Sequence, residues 1–228
     1  MDKNPFNICT LNSNSNCNEC KNQNKLDCKL DKHQQKVSML VIFSSLIIGS
    51  FGLILTGLIT DNWLILIFYM IFSLLFFVVI ENKVTCSHCP YYAEKTLRLN
   101  CSGNNIFPKI WKYNPKPINR YEKLVSILGI ALIGLIPIIS QIYSIWFFLL
   151  NNPNATWIMI IALIGLLLAT ILSFLMFFFL FLFTLCPRCI NFSCQFNRVP
   201  KELVDEYLKK NPVIKKAWEK RNITNGKG

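Results

Sequence analysis

Residues 124–185 read LVSILGIALIGLIPIISQIYSIWFFLLNNPNATWIMIIALIGLLLATILSFLMFFFLFLFTL, without one charged side chain. A helix crosses the hydrocarbon core with roughly 20 residues, so this run is long enough to cross twice. Its only break is Asn151-Asn152-Pro153-Asn154, a cluster of turn formers. Two further charge-free runs lie upstream, between Lys36 and Asp61 and between Asp61 and Glu81. The sequence therefore predicts four spanning helices, at about Val37 to Ile59, Trp63 to Ile80, Leu124 to Leu150 and Trp157 to Leu185. The fold class is an all-α polytopic membrane protein of two helical hairpins with cysteine-rich segments outside the bilayer. Composition agrees: 53% of the 228 residues are hydrophobic and 16% charged, too apolar for an ordinary soluble domain. Some 36 mostly polar residues precede the first span, which is therefore read as an uncleaved anchor and not a signal peptide.

Five segments follow: an Asn/Cys-rich N-terminal segment (1–36), hairpin 1 (37–81), a basic Cys-containing loop (82–123), hairpin 2 (124–185), and a Cys motif with an amphipathic tail (186–228). All 24 Lys and Arg fall in the first, third and fifth. Cytoplasmic loops carry the excess of basic residues, so both termini and the central loop are expected in the cytosol, in a multi-pass protein of the cell membrane. The net charge of +12 then points to the anionic headgroups of the bilayer as a partner. The basic-aromatic stretch PKIWKYNPKPINR by itself fits nucleic acid as well, but no nucleic-acid partner is expected; a protein partner is not identified.

The same topology puts all ten cysteines on one face: Cys9, Cys17, Cys20 and Cys28 before the first span, Cys86, Cys89 and Cys101 after the second, and Cys186, Cys189 and Cys194 after the fourth. Thiols stay reduced in the cytosol, where clustered cysteines are metal ligands or catalytic thiols. Each hairpin ends in a CxxC, Cys86-Ser-His-Cys89 and Cys186-Pro-Arg-Cys189, followed by a third cysteine. Two such turns brought together by a parallel repeat would close a four-thiolate site for zinc. An iron-sulfur cluster also takes four cysteines, but C-x2-C-x11-C and C-x2-C-x4-C do not match the compact ferredoxin spacing. His88 is expected as an exposed residue that tunes the thiolates; as a proton donor it would make Cys86 the nucleophile of a membrane thiol-disulfide oxidoreductase, the alternative function.

The N-terminal C-x7-C-x2-C-x7-C lies in a segment with eight Asn in its first 24 residues. It is expected either to fold separately around one ion held by Cys9, Cys17, Cys20 and Cys28 or to remain a tail. The tail NRVPKELVDEYLKKNPVIKKAWEK reads as a basic amphipathic helix lying on headgroups, with docking over the cysteines as the sharper reading. No Asp, Glu, Lys, Arg or His falls within the four expected spans, which argues against an ion-coupled transporter. Ser45, Gly49, Gly52 and Thr56 give the first span small-xxx-small packing, and Pro137 with Gln141 marks a kink or hydrated point in the third.

CSHCPYY at 86–92, PKIWKYNPKPINRYEK at 108–123 and CPRCINFSCQFNRVPKE at 186–202 resemble the cytoplasmic motifs of a group of small prokaryotic membrane proteins with four helices. The likeness runs from the first span to the C-terminus and leaves out the N-terminal Cys segment. It implies that the three stretches belong to one site and carries no activity. The expected function is a membrane protein that binds zinc, or an iron-sulfur cluster, in a scaffold or electron-transfer role.

Overall fold

The structure, a computed structural model, describes residues 3–15, 20, 25–101, 103, 107–153 and 156–225, the last five without their side chains. The described residues form helices and turns, with one isolated antiparallel bridge between Arg98 and Pro108. Helix α1 runs Lys32–Thr60, α2 Leu64–Leu75, α3 Glu81–Val84, α4 Arg120–Asn151, α5 Trp157–Leu180, α6 Lys201–Lys210 and α7 Pro212–Asn225. Four helical stretches are long and apolar enough to cross a membrane: Lys32–Thr60, Leu64–His88, Arg120–Asn151 and Trp157–Leu185.

The helices outrun the apolar windows of the sequence because local capping chemistry, and not hydropathy, starts and stops them. Asp31 accepts the backbone N–H groups of His33 and Gln34. Asn119 and Glu122 form a capping box with two 2.7 Å bonds, which satisfies donors that a helix start leaves unpaired. The second span continues beyond Ile80 as far as His88. Glu81 and Lys83 therefore lie on the same helical stretch, just past the expected end of the apolar span.

Two inner helices and two outer ones make the bundle. In α1 and α4, 28% and 33% of the apolar window is buried, against 11% in each of the other two spans. Helix α1 packs on α2, α4 and α5, and α4 packs on α2 and α5. Small residues let the inner pair approach. A Cβ on Gly52 would lie 2.2 Å from Nε2 of Gln141, and one on Gly49 would lie 3.3 Å from the buried Pro137. Polar side chains then tie the helices together: Thr56 donates to Ser140 O at 3.4 Å between α1 and α4, Ser45 to Ser173 O at 3.0 Å between α1 and α5, and Gln141 Nε2 to Thr170 Oγ1 at 2.9 Å between α4 and α5. The small-xxx-small pattern thus works through close backbone approach with paired polar groups, the usual cohesion between membrane helices. Gln141 is held by protein.

A second core lies beyond one end of the bundle. Ile8 and Leu26 from the N-terminal segment, Tyr91 and Tyr92 after the second span, Ile190 after the fourth, and Tyr207 and Ile214 from α6 and α7 bury together. Two expectations change here. The described part of segment 1–36 is not a separate module: Asp27 N–H donates to Arg188 O at 2.8 Å, Tyr91 Oη to Asp27 O at 2.6 Å, and Cys9 N–H to Asn211 Oδ1 at 2.8 Å. Nor do α6 and α7 lie flat with an apolar face turned outward, because Tyr207 and Ile214 are 1% and 4% exposed within this core.

Candidate functional site

Each outer helix leaves the bundle through a π-helical turn, at Phe76–Ile80 after α2 and Phe181–Leu185 after α5. Such single turns insert one extra residue per turn and occur often at functional sites. The Cys186 N–H donates to Phe181 O at 2.8 Å, and the Glu81 N–H donates to Phe76 O in the equivalent place. Measured from the π turns, Glu81 therefore occupies the position of Cys186. The first CxxC begins five residues later, after Glu-Asn-Lys-Val-Thr.

Both CxxC turns close the same way, with Cys89 N–H on Cys86 O at 2.9 Å and Cys189 N–H on Cys186 O at 3.4 Å. Asn191 joins them, donating from Nδ2 to Thr85 O at 3.0 Å. Asn197 Nδ2 buttresses the second turn through Cys189 O at 2.7 Å, and Asn114 N–H holds the first through Ser87 O at 2.9 Å. The stretch 108–120 thus packs on the site. Its Lys109 ammonium is spent on Tyr91 O, Glu94 O and Thr96 Oγ1.

Cys86, Cys89, Cys101, Cys186, Cys189 and Cys194 all line one cavity of about 260 Å³ at this end of the bundle. Cys89 and Cys101 are near enough for each thiol to act on the other's protonation, although 11 residues separate them in sequence. Below the thiols the wall is aromatic, with Phe77, Phe174, Phe177 and Phe181 among its residues. The remaining cysteines are elsewhere. Cys9 Sγ accepts from Asn211 Nδ2 at 3.2 Å and Cys20 Sγ from Lys210 Nζ at 3.0 Å. Cys28 packs against the outer core, and Cys17 lies outside the described residues.

Four of the thiols around the cavity, Cys89, Cys186, Cys189 and Cys194, are held protonated. The neighbouring Cys101 and then burial push Cys89 up. Burial, followed by the neighbouring Cys101 and Cys194, does the same to Cys189. Burial raises Cys186 to about 11 against the opposing charge of Arg198, and Cys194 to about 12. At neutral pH a thiol of pKa 11 is thiolate in roughly one molecule in 10⁴.

Six thiols are the right donors for zinc or an iron-sulfur cluster. Their spacing does not complete such a site, however, because among the described residues no three His, Cys, Asp or Glu side chains are grouped to hold an ion. His88 takes no part. It is buried, not exposed, at 7%, and its ring turns away from the cavity, with Nδ1 on Lys116 O and Nε2 3.7 Å from Glu122.

Glu81 is the site residue missing from the sequence reading. It lines the cavity and accepts a 2.9 Å bond from Ser126 Oγ, which also accepts from Gln195 Nε2 at 2.8 Å. The available signal was a lone acid at the edge of an apolar run, five residues before Cys86. Comparison with family models, with curated proteins and with solved structures returns no match.

Proposed function

We propose that this multi-pass membrane protein works as a dithiol/disulfide couple, with Cys89 and Cys101 as the reacting pair. The meeting of these two thiols in a cavity that gathers six cysteines carries the reading, and the influence of Cys101 on the Cys89 thiol agrees with it. Oxidation joins the two sulfurs, breaks two S–H bonds and releases two electrons and two protons to an acceptor. Thiols held in the neutral form react slowly with soluble disulfides, because the thiolate is the nucleophile. The pair therefore favours an acceptor that enters the cavity over one that meets it in bulk water.

Diamide treatment of the full chain in nanodiscs, followed by non-reducing peptide mass spectrometry, tests the pair. A Cys89–Cys101 link, lost in Cys101→Ser, is expected; scrambled links or none reject it. The distribution of Lys and Arg supports a cytosolic position for the cavity, both termini and the basic loop, and no thiol should then react with an impermeant maleimide added to intact cells.

The second reading, zinc held between the two CxxC turns, is supported by the electrostatic proximity of Cys89 and Cys189 in one cavity. It requires the side chains to close by rotation, since four zinc-bound sulfurs sit within roughly 4 Å of one another. Stoichiometric zinc after anaerobic purification, lost equally in Cys86→Ser, Cys186→Ser and the double variant, would favour it over the dithiol.

A further inference from the structure

The cavity is two-ended. Its thiols and Asn191 lie at one end, while Ser45, Leu46 and Phe174 place the other end inside the bundle. Phe43 lines it and is also 41% exposed on the outer surface of α1, which brings the cavity to the lipid-facing side. Binding sites for drug-sized molecules run to about 300–1,000 Å³. A space of about 260 Å³ suits one ring system, with any long tail left in lipid.

We infer that the cavity admits the ring of a membrane quinone, which oxidises the Cys89–Cys101 pair. The assignment rests on the dithiol reading above and names its acceptor. Three observations converge on it. A flat ring packs well against an aromatic wall such as the one Phe177 and Phe181 form with their rings 4.6 Å apart. The thiols that line the cavity are donors suited to the quinone carbonyl oxygens. A quinone is also a lipid-soluble carrier matched to the chemistry: the two sulfurs form one S–S bond, both electrons pass to the ring, and both thiol protons end on its two oxygens, giving one quinol per disulfide. A fatty acyl chain would fit the apolar wall and leave the thiols unchanged.

The test uses the reduced full chain in nanodiscs under anaerobic conditions with decylubiquinone as the sole oxidant. Quinol formation is read by absorbance and the thiols by mass spectrometry. The expected result is one quinol for each Cys89–Cys101 link, none in Cys101→Ser, and a rate reduced about tenfold or more when Ile42→Trp or Leu182→Trp fills the cavity. Either blocking variant counts only if it melts like wild type; with neither usable, competition by a redox-silent methoxybenzene analogue of the same tail replaces them. Diamide must still couple the pair in the blocked protein. Equal quinol formation with the cavity open or filled overturns the inference, as does no quinol where diamide forms the link; both leave the dithiol reading intact. Failure of diamide and quinone alike removes that reading itself.

Discussion

The two outer helices leave the bundle by the same π turn and then differ. After α5 the chain reaches Cys186 at once, and the second CxxC sits at the mouth of the bundle. After α2 a carboxylate, Glu81, stands in that place, and a further helical turn, α3, carries the first CxxC outward. Each exit brings its third cysteine back to its own motif, and Cys101 of the first also acts on Cys189 of the second. The difference teaches that the internal repeat is one of backbone geometry, which the two halves use for different chemistry. One half presents an acid and a thiol pair, and the other presents thiols beside Arg198.

The sharpest way to break the comparison is at the π turns. A Cβ on Gly129 would lie 1.9 Å from the ring of Phe76, which opens the first π turn. On Gly134 it would sit in ordinary contact, 3.7 Å from Phe174 of α5. Gly129→Ala should therefore cost about 1–3 kcal/mol by overpacking, while Gly134→Ala stays within about 0.5 kcal/mol. Unfolding in mixed micelles measures both, and equal effects would mean that the two outer helices pack alike.

A smaller effect is expected where the exits are joined. Asn191→Ala removes the bond to Thr85 O, which keeps the 3.4 Å bond from the His88 N–H, at a cost of about 1 kcal/mol. Limited proteolysis should then cut near 85–89 faster, with the second turn still protected by Asn197.

The smallest effect is one of pH and belongs to the second exit. The folded chain holds Cys186 at about 11 and Cys194 at about 12, above the ordinary value of 9. Their neutral forms are favoured in the folded state, so this contribution to stability is complete below pH 9. It is lost as pH rises through 9 toward 11 and 12, because the unfolded chain releases its protons first. Alkylation of Cys186 should rise nearly tenfold per pH unit across neutrality. Arg198→Gln should raise its pKa further and slow the reaction, whereas a rate already level at pH 8 would contradict the burial.

Four helices apolar enough to span and ten cysteines outside the apolar runs were legible without coordinates, because hydropathy is a local quantity that adds along the chain. The small-residue face of α1 was legible for the same reason: Ser45, Gly49, Gly52 and Thr56 recur at helical spacing. Which cysteines meet was not. Cys101 reaches Cys89 through a loop whose path is fixed by Gln35 donating to Cys101 O at 2.8 Å, and the CxxC turns are tied by Asn191 and Thr85, 106 residues apart. The inward place of Glu81, the outward turn of His88 and the docking of α6 and α7 depend likewise on contacts between distant segments. The amino-acid order by itself marks which helices are apolar enough to cross a bilayer, since each apolar side chain contributes independently of its neighbours. Only the tertiary structure decided what the thiols face, because convergence depends on helix phase, and each π turn shifts that phase in a way no hydropathy pattern records.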